Sequence, residues 1–211
     1  MLHNHVNWAI GEGSVFMIDF PGLDGLTAIP ADDMPNLSPK PVDSWSPALA
    51  GSIDIRIDAE GNWFHEGAPI RRAGLVALFA SILRGEEDGS YVLVTPAEKR
   101  TIVVEDAPFV AVGISVSGNG KEQFVTLKTN MGEEITIGPD HPLRFAKSTA
   151  AGGVSLPYVR VRGRLEARVN RAVFPDLVDL ACVEIHDNKQ WLGIWSSGVF
   201  WPMMLADEAG A

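Results

Sequence analysis

The chain has 211 residues, 46% of them hydrophobic and 21% charged, which is enough apolar mass for one large core or two small ones. Its net charge of −10 argues against broad nucleic-acid or anionic-membrane binding, both of which need a positive surface. The single cysteine, Cys182, excludes an internal disulfide, and no apolar run reaches the ~18–20 residues of a membrane span.

Residues 1–50 form the first section. They hold Lys40 as their only Lys or Arg, are rich in proline (Pro21, Pro30, Pro35, Pro39 and Pro47 among them) and show no sustained periodicity. They read as an extended N-terminal arm with one short strand at Val15–Phe20. Glu12 and Asp19 interrupt the would-be apolar segment of a signal peptide and no basic residues precede it, so the expected compartment is the cytoplasm.

From residue 51 the pattern sharpens. Ile53, Ile55 and Ile57 alternate with Asp54, Arg56 and Asp58 as a half-buried strand, and Ala59-Glu60-Gly61 turns it back into Asn62–His65. Leu75, Leu78, Phe79, Ile82 and Leu83 fall on one stripe, predicting a helix over 71–84 that stops at Gly85. Strands at Ser90–Thr95 and Arg100–Glu105 complete a β-β-α-β-β domain, residues 51–107.

The second domain, 108–211, is richer in strands. Val110, Val112, Ile114 and Val116 line one face of a strand at Phe109–Ser117, and Gln123–Thr129 pairs with Glu133–Ile137 across Asn130-Met131-Gly132. A short strand is predicted at Pro142–Phe145, then a small-residue loop over 148–155. The segment YVRVRGRLEARVNR, 158–171, alternates without a break, predicting one strand bent at Gly163 with an apolar face and an arginine-lined face. A second helix follows, with Phe174, Leu177, Val178 and Ala181 on one side and Cys182 beside them as inert core. QWLGIWSSGVFWPMM closes the sheet as one or two aromatic strands. PIRRAGLVALFASIL and RVNRAVFPDLVDLAC echo one another, matching at Arg72-Ala73 and Arg171-Ala172, which points to two related halves.

The arginines carry the functional lead. Five of the 17 Lys and Arg lie between 160 and 171, in an acidic protein. Alternate strand residues stand about 6.6–7 Å apart, so neighbouring guanidiniums could hold separate phosphates or carboxylates. Arg168, Asn170 and Arg171 approach a helix start, where backbone N–H groups add to anion binding. Arg71 and Arg72 stand at the other helix start, where a cation opposes the helix dipole unless an anion joins it. The opposing readings are a solvated or acid-paired arginine face, and surface arginines with stems laid over Trp63 or Phe64. If the two helix starts faced one another across a domain junction, Thr95 and Lys99 would approach from the first domain, and Phe109 or Trp201 could stack a base.

Other chemistry is weakly marked. His65 and Glu66 are neighbours on a strand and cooperate only in a bend. Glu98 sits in a turn, His3 and His5 in the arm, and His65, His141 and His186 are scattered, so no metal is expected. Nucleophile-elbow and Walker motifs are missing, and Gly118/Gly120 lie in an antiparallel hairpin; no cofactor is expected.

The motifs W-F-H-E-G-x-P-I-R, L-V-x-L-F, V-T-P-x-E-K and E-D-A-P-F-V-A-V, together with GRLEARVNRAVFPDLVDLA at 163–181, resemble the bacterial family catalogued as domain of unknown function 1285, over about residues 40–211. The resemblance implies two related α+β domains, each a mainly antiparallel sheet with one helix, the second like a pleckstrin-homology fold. It also implies a nucleotide-like ligand at the domain junction and a signalling role. The expectation is therefore a cytoplasmic, non-catalytic protein that binds a small anionic ligand, without nucleic acid or membrane as partners. The alternatives are an enzyme acting on a phosphorylated metabolite, with His65 or Glu98 as acid/base, and a protein-interaction scaffold whose arginine face docks an acidic partner.

Overall fold

The computed structural model describes residues 15–17, 27–30, 39–147, 152, 155–186 and 188–207. In the arm, β1 (Val15–Met17) pairs antiparallel with β2 (Thr27–Pro30). Residues 18–20 of the expected strand, His3, His5 and most of the loop at 148–155 lie outside the described residues. The rest divides into two compact units, one built on 62–103 with the chain before residue 57, the other on 57–61 with 104–211.

The first unit holds β3 (Leu49–Ile57), β4 (Trp63–His65), β5 (Ala68–Pro69), α1 (Ala73–Ser81), β6 (Leu83–Gly85), β7 (Tyr91–Val94) and β8 (Lys99–Val104). The last residue of β3 and of β8 is counted with the second unit. The strands make one sheet in the order β5-β4-β3-β8-β7-β6. Lys99 N–H donates to Ala48 and Glu105 N–H to Ile57, so β3 and β8 run in the same direction. Ile55, Trp63, Leu78, Phe79, Leu83 and Leu93 are buried, and the rings of Trp63 and Phe79 stack at 6.1 Å.

The first helix is shorter than its stripe suggested. Ile82 leaves the helix at φ −107, ψ 8, and Leu83, Arg84 and Gly85 pair with Leu93, Val92 and Tyr91. Strand alternation drives Leu83 inward. It also leaves the Arg84 guanidinium free to donate to Val42 and Trp45 carbonyls at 2.7 Å and to Glu86 at 2.7 Å. A helix continued to residue 84 would forfeit both.

The second unit holds β9 (Phe109–Ser117), β10 (Phe124–Thr129), β11 (Glu134–Thr136), β12 (Leu143–Lys147), β13 (Ser155–Arg162), β14 (Leu165–Val169), α2 (Phe174–Val178), β15 (Cys182–His186), β16 (Lys189–Ser196) and β17 (Val199–Leu205). Its larger sheet runs β11-β10-β9-β14-β13-β12, with β9 and β14 parallel. Numbered within its own sheet, each unit therefore has the order 3-2-1-6-5-4 with a parallel central pair. The relatedness of the halves lies in this strand order and not in the helix echo: α1 sits between the third and fourth strands, whereas α2 follows the sixth.

Three further expectations are corrected. The alternating segment 158–171 is a hairpin: Gly163, at φ 48, turns it so that Val159 faces Ala167 and Tyr158 faces Arg168. In β9 the register slips between its pairs Lys128–Gly113 and Thr129–Ala111, a bulge at Val112. Ile114 and Val116 thus stand opposite Leu127 and Val125, while Val112 faces solvent. Cys182 is exposed and opens a strand, because α2 ends at Val178.

The smaller sheet, β15-β16-β17, is fastened by Ser196. Its buried hydroxyl donates to the Ile137 carbonyl at 2.7 Å and accepts the Val125 N–H at 3.0 Å.

Candidate functional site

In the first unit the exposed cations gather at the start of α1. Arg71 and Arg72 are both exposed, and Arg72 is the N-cap, with extended backbone at φ −84, ψ 106. Its carbonyl accepts the N–H groups of Leu75 and Val76 at 3.0 and 3.1 Å. No side chain caps this end, and the first turn carries no acidic residue. A helix start normally recruits Ser, Thr, Asp or Asn to its N–H groups. Here two arginines stand in their place, so an incoming anion would find both the N–H groups and the guanidiniums.

Thr95 and Lys99 are occupied by the fold. The buried Thr95 hydroxyl accepts the N–H groups of Ala97 and Glu98 and donates to the Glu98 carbonyl, closing its own turn. Lys99 Nζ lies 3.3 Å from Glu86, which Arg84 also holds at 2.7 Å. Burial alone would raise the Glu86 pKa, but hydrogen bonds and charge from Arg84 and Lys99 outweigh it and hold the carboxyl below its ordinary value. Glu98 pairs with Arg100 at 3.2 Å. His65 ends β4, and Glu66 enters the following turn at φ 48, its N–H donating to the Asp54 carbonyl.

In the second unit the arginine face is largely neutralised from within. Arg144 on β12 reaches across β13, over the Tyr158 ring at 4.7 Å, to Glu166 on β14. The Tyr158 hydroxyl donates to Asp106 at 2.7 Å. Arg168 Nε lies 3.3 Å from the other Asp106 oxygen, and its guanidinium also donates to the Ala59 carbonyl. Asn130 Nδ2 reaches the Gly61 carbonyl and Glu105 accepts the Ala59 N–H, so the turn at 58–61 is held from three sides. Arg162 pairs with Glu133 and sits 5.0 Å over the Phe109 ring.

Phe109 is fully buried and presents no face to a base. Asn170 is spent on its own turn: its side-chain oxygen accepts the Ala172 N–H, and its carbonyl accepts those of Val173 and Phe174. Arg171, beside it, is exposed. Trp201 is half-buried, its indole N–H donating to the Ser196 carbonyl at 3.3 Å. The structure thus keeps Arg71 and Arg72 together at one helix start and leaves Arg171 available in the other unit. It turns Arg168, Thr95 and Lys99 inward to structural partners. Sequence reasoning missed Asp106, Glu133, Arg144 and Glu166. Only the pairing of strands distant in sequence sets these groups beside the arginines, and no local motif announces it.

Among the described residues, no group of three or more His, Cys, Asp or Glu is placed to hold a metal ion, and no helix is long and apolar enough to cross a membrane. Partial desolvation and the Glu184 carboxylate raise the Cys182 pKa against the pull of Lys121, which keeps the thiol protonated and weakly nucleophilic.

These features define a two-domain α+β protein, mostly sheet with few helices. Residues 40–107 match the family model described as "Domain of unknown function (DUF1285), N-terminal domain", and residues 108–203 match "Protein of unknown function (DUF1285), C-terminal domain". The chain belongs to the DUF1285 family. It is similar to the crystal structure of a DUF1285 family protein from Silicibacter pomeroyi DSS-3, with 45% identity and a TM-score of 0.76 over 82% of this chain and 92% of that one. A DUF1285 family protein from Shewanella baltica OS155 is 25% identical, with a TM-score of 0.47 over 59% of this chain and 90% of that one. No curated protein matches the chain.

Proposed function

We propose that the protein is a non-catalytic, cytoplasmic module with a signalling role that binds a small anionic, nucleotide-like ligand, and that Arg71 and Arg72 at the start of α1 are its principal contacts. The observation that carries this reading is the composition of that helix start: two exposed arginines, no side-chain cap and no acidic residue in the first turn. Unoccupied, this arrangement opposes the helix dipole by about 0.3–1 kcal/mol per charge; an anion reverses the sign. Arg171 is the second domain's exposed candidate from the same set. Arg168 serves the fold and not the ligand, since its guanidinium is taken up by Asp106 and Ala59.

The enzyme reading has less support, because Glu98 is paired with Arg100 and His65 has no carboxylate partner implied by its turn. A pleckstrin-like second domain enters only through family resemblance, and a fold of that kind does not by itself license lipid binding.

Titration calorimetry with nucleoside mono-, di- and triphosphates tests the proposal. Binding should weaken by about tenfold or more in Arg71→Ala or Arg72→Ala, the loss of one charge-assisted hydrogen bond. Wild-type affinity in both variants would overturn the assignment of the contacts.

A further inference from the structure

The smaller sheet of the second unit ends on β15, an edge strand of five residues, Cys182–His186, paired on one side only, with β16, among the described residues. An edge strand leaves a row of N–H and C=O groups open to another strand, and natural edges are usually protected by Lys, Pro, a bulge or a covering element. β15 has no Lys or Pro, and its pairing with β16 runs in unbroken register from Cys182–Gly193 to His186–Lys189. Its outward apolar residues are unusually bare: Val183 is 54% and Ile185 72% exposed. Both lie on one face, while Glu184 points to the other, toward Lys121 at 2.9 Å and the Trp195 indole at 3.1 Å.

We infer that β15 is a self-association edge, pairing antiparallel with β15 of a second copy of this chain. The register follows from symmetry. A two-fold axis normal to the sheet keeps every residue on its own face, so the axis must pass through one residue position and not between two. Only centring on Glu184, the middle of the strand, pairs all five residues. Val183 then stands opposite Ile185 of the second copy, and Ile185 opposite its Val183, joining the four most exposed apolar side chains of the two edges in two cross-strand pairs.

The charges are self-complementary in this register. Glu184 meets Glu184 of the second copy, but each brings its own Lys121, whose side chain is largely exposed, so two carboxylates and two ammonium groups alternate at the axis. Five paired residues make a small interface, and each chain carries a net charge of −10. The association is therefore weak, concentration-dependent, and strengthened by added salt, which screens the overall repulsion.

Sedimentation velocity of the full chain over a concentration series, at low and moderate salt, reads this directly. A monomer–dimer equilibrium shifted toward dimer by salt is the expected result. Ile185→Lys should abolish the dimer while leaving the thermal midpoint unchanged, because the side chain is exposed. Cysteine oxidation tests the register in a Cys182→Ser background. Glu184→Cys should form a covalent dimer, since opposed residues lie within the Cα range of a disulfide, and Val183→Cys should not. A monomer at every concentration, a dimer untouched by Ile185→Lys, or equal cross-linking of the two cysteine variants would each overturn the inference.

Discussion

Arg168 and Asp106 lie against one another in the second unit, Nε to Oδ2 at 3.3 Å, with side chains only 13% and 7% exposed. The pair ties three pieces of chain together: β14 through Arg168, β13 through the Tyr158 hydroxyl on Asp106, and the 58–61 turn through the Ala59 carbonyl. A cation that looked like a ligand contact in the sequence is a fastening of the fold.

Breaking that pair from either side should be costly. Arg168→Met leaves the Asp106 carboxylate without its countercharge, and Asp106→Leu strands the guanidinium. Each should lower the unfolding free energy by about 3–5 kcal/mol, while the double variant should lose less than the sum. Urea denaturation of the three variants measures both quantities. Additive losses would mean that the two groups act independently.

Two glycines on paired strands should respond differently to a methyl group. A Cβ on Gly193 would stand 2.5 Å from the Trp201 carbonyl oxygen and 2.6 Å from the Phe200 ring, whereas on Gly113 it would stand 3.5 Å from Lys128 Cβ. The ring can turn aside, but the carbonyl belongs to the paired strand β17 and cannot. Gly193→Ala should therefore destabilise by about 1–3 kcal/mol, as overpacking does. Gly113→Ala should be neutral or slightly stabilising, since alanine restricts the unfolded chain more than glycine. Thermal midpoints of the two variants give the comparison.

The Arg84–Glu86–Lys99 cluster makes the first unit sensitive to acid. Because the folded-state pKa of Glu86 lies below its ordinary value of 4.5, its contribution is fully present above that value and is lost as pH falls through the folded pKa. Stability measured by denaturant from neutral pH downward should fall less steeply across this acid range in Glu86→Gln than in the wild type. Parallel curves would show that the cluster contributes no linkage.

Much of the strand pattern was legible in the sequence because alternation is a local property. Ile55 and Ile57 are fully buried as read, and β9 spans the expected residues. What failed depended on partners. Leu83 fits a helical stripe and a strand equally well, and only its pairing with Leu93 decides between them. The run at 158–171 keeps its alternation through a reversal at Gly163, since a tight turn between two strands leaves the odd residues on the core side of both. Arg71 and Arg72 were legible as a site candidate because a helix start has a local signature. The neutralisation of Arg144, Arg162 and Arg168 was not, because Glu166, Glu133 and Asp106 lie 22, 29 and 62 residues away in the chain.

Thermal unfolding of the wild-type chain against a panel of nucleotides and phosphorylated metabolites, with Arg71→Ala/Arg72→Ala in parallel, is the most direct test of the anion-binding function. A ligand at ~100 times its dissociation constant should add about 2.7 kcal/mol to the folded state, seen as a raised midpoint that disappears in the double variant. No shift with any compound, or a shift of equal size in the double variant, would contradict the proposed role of this helix start.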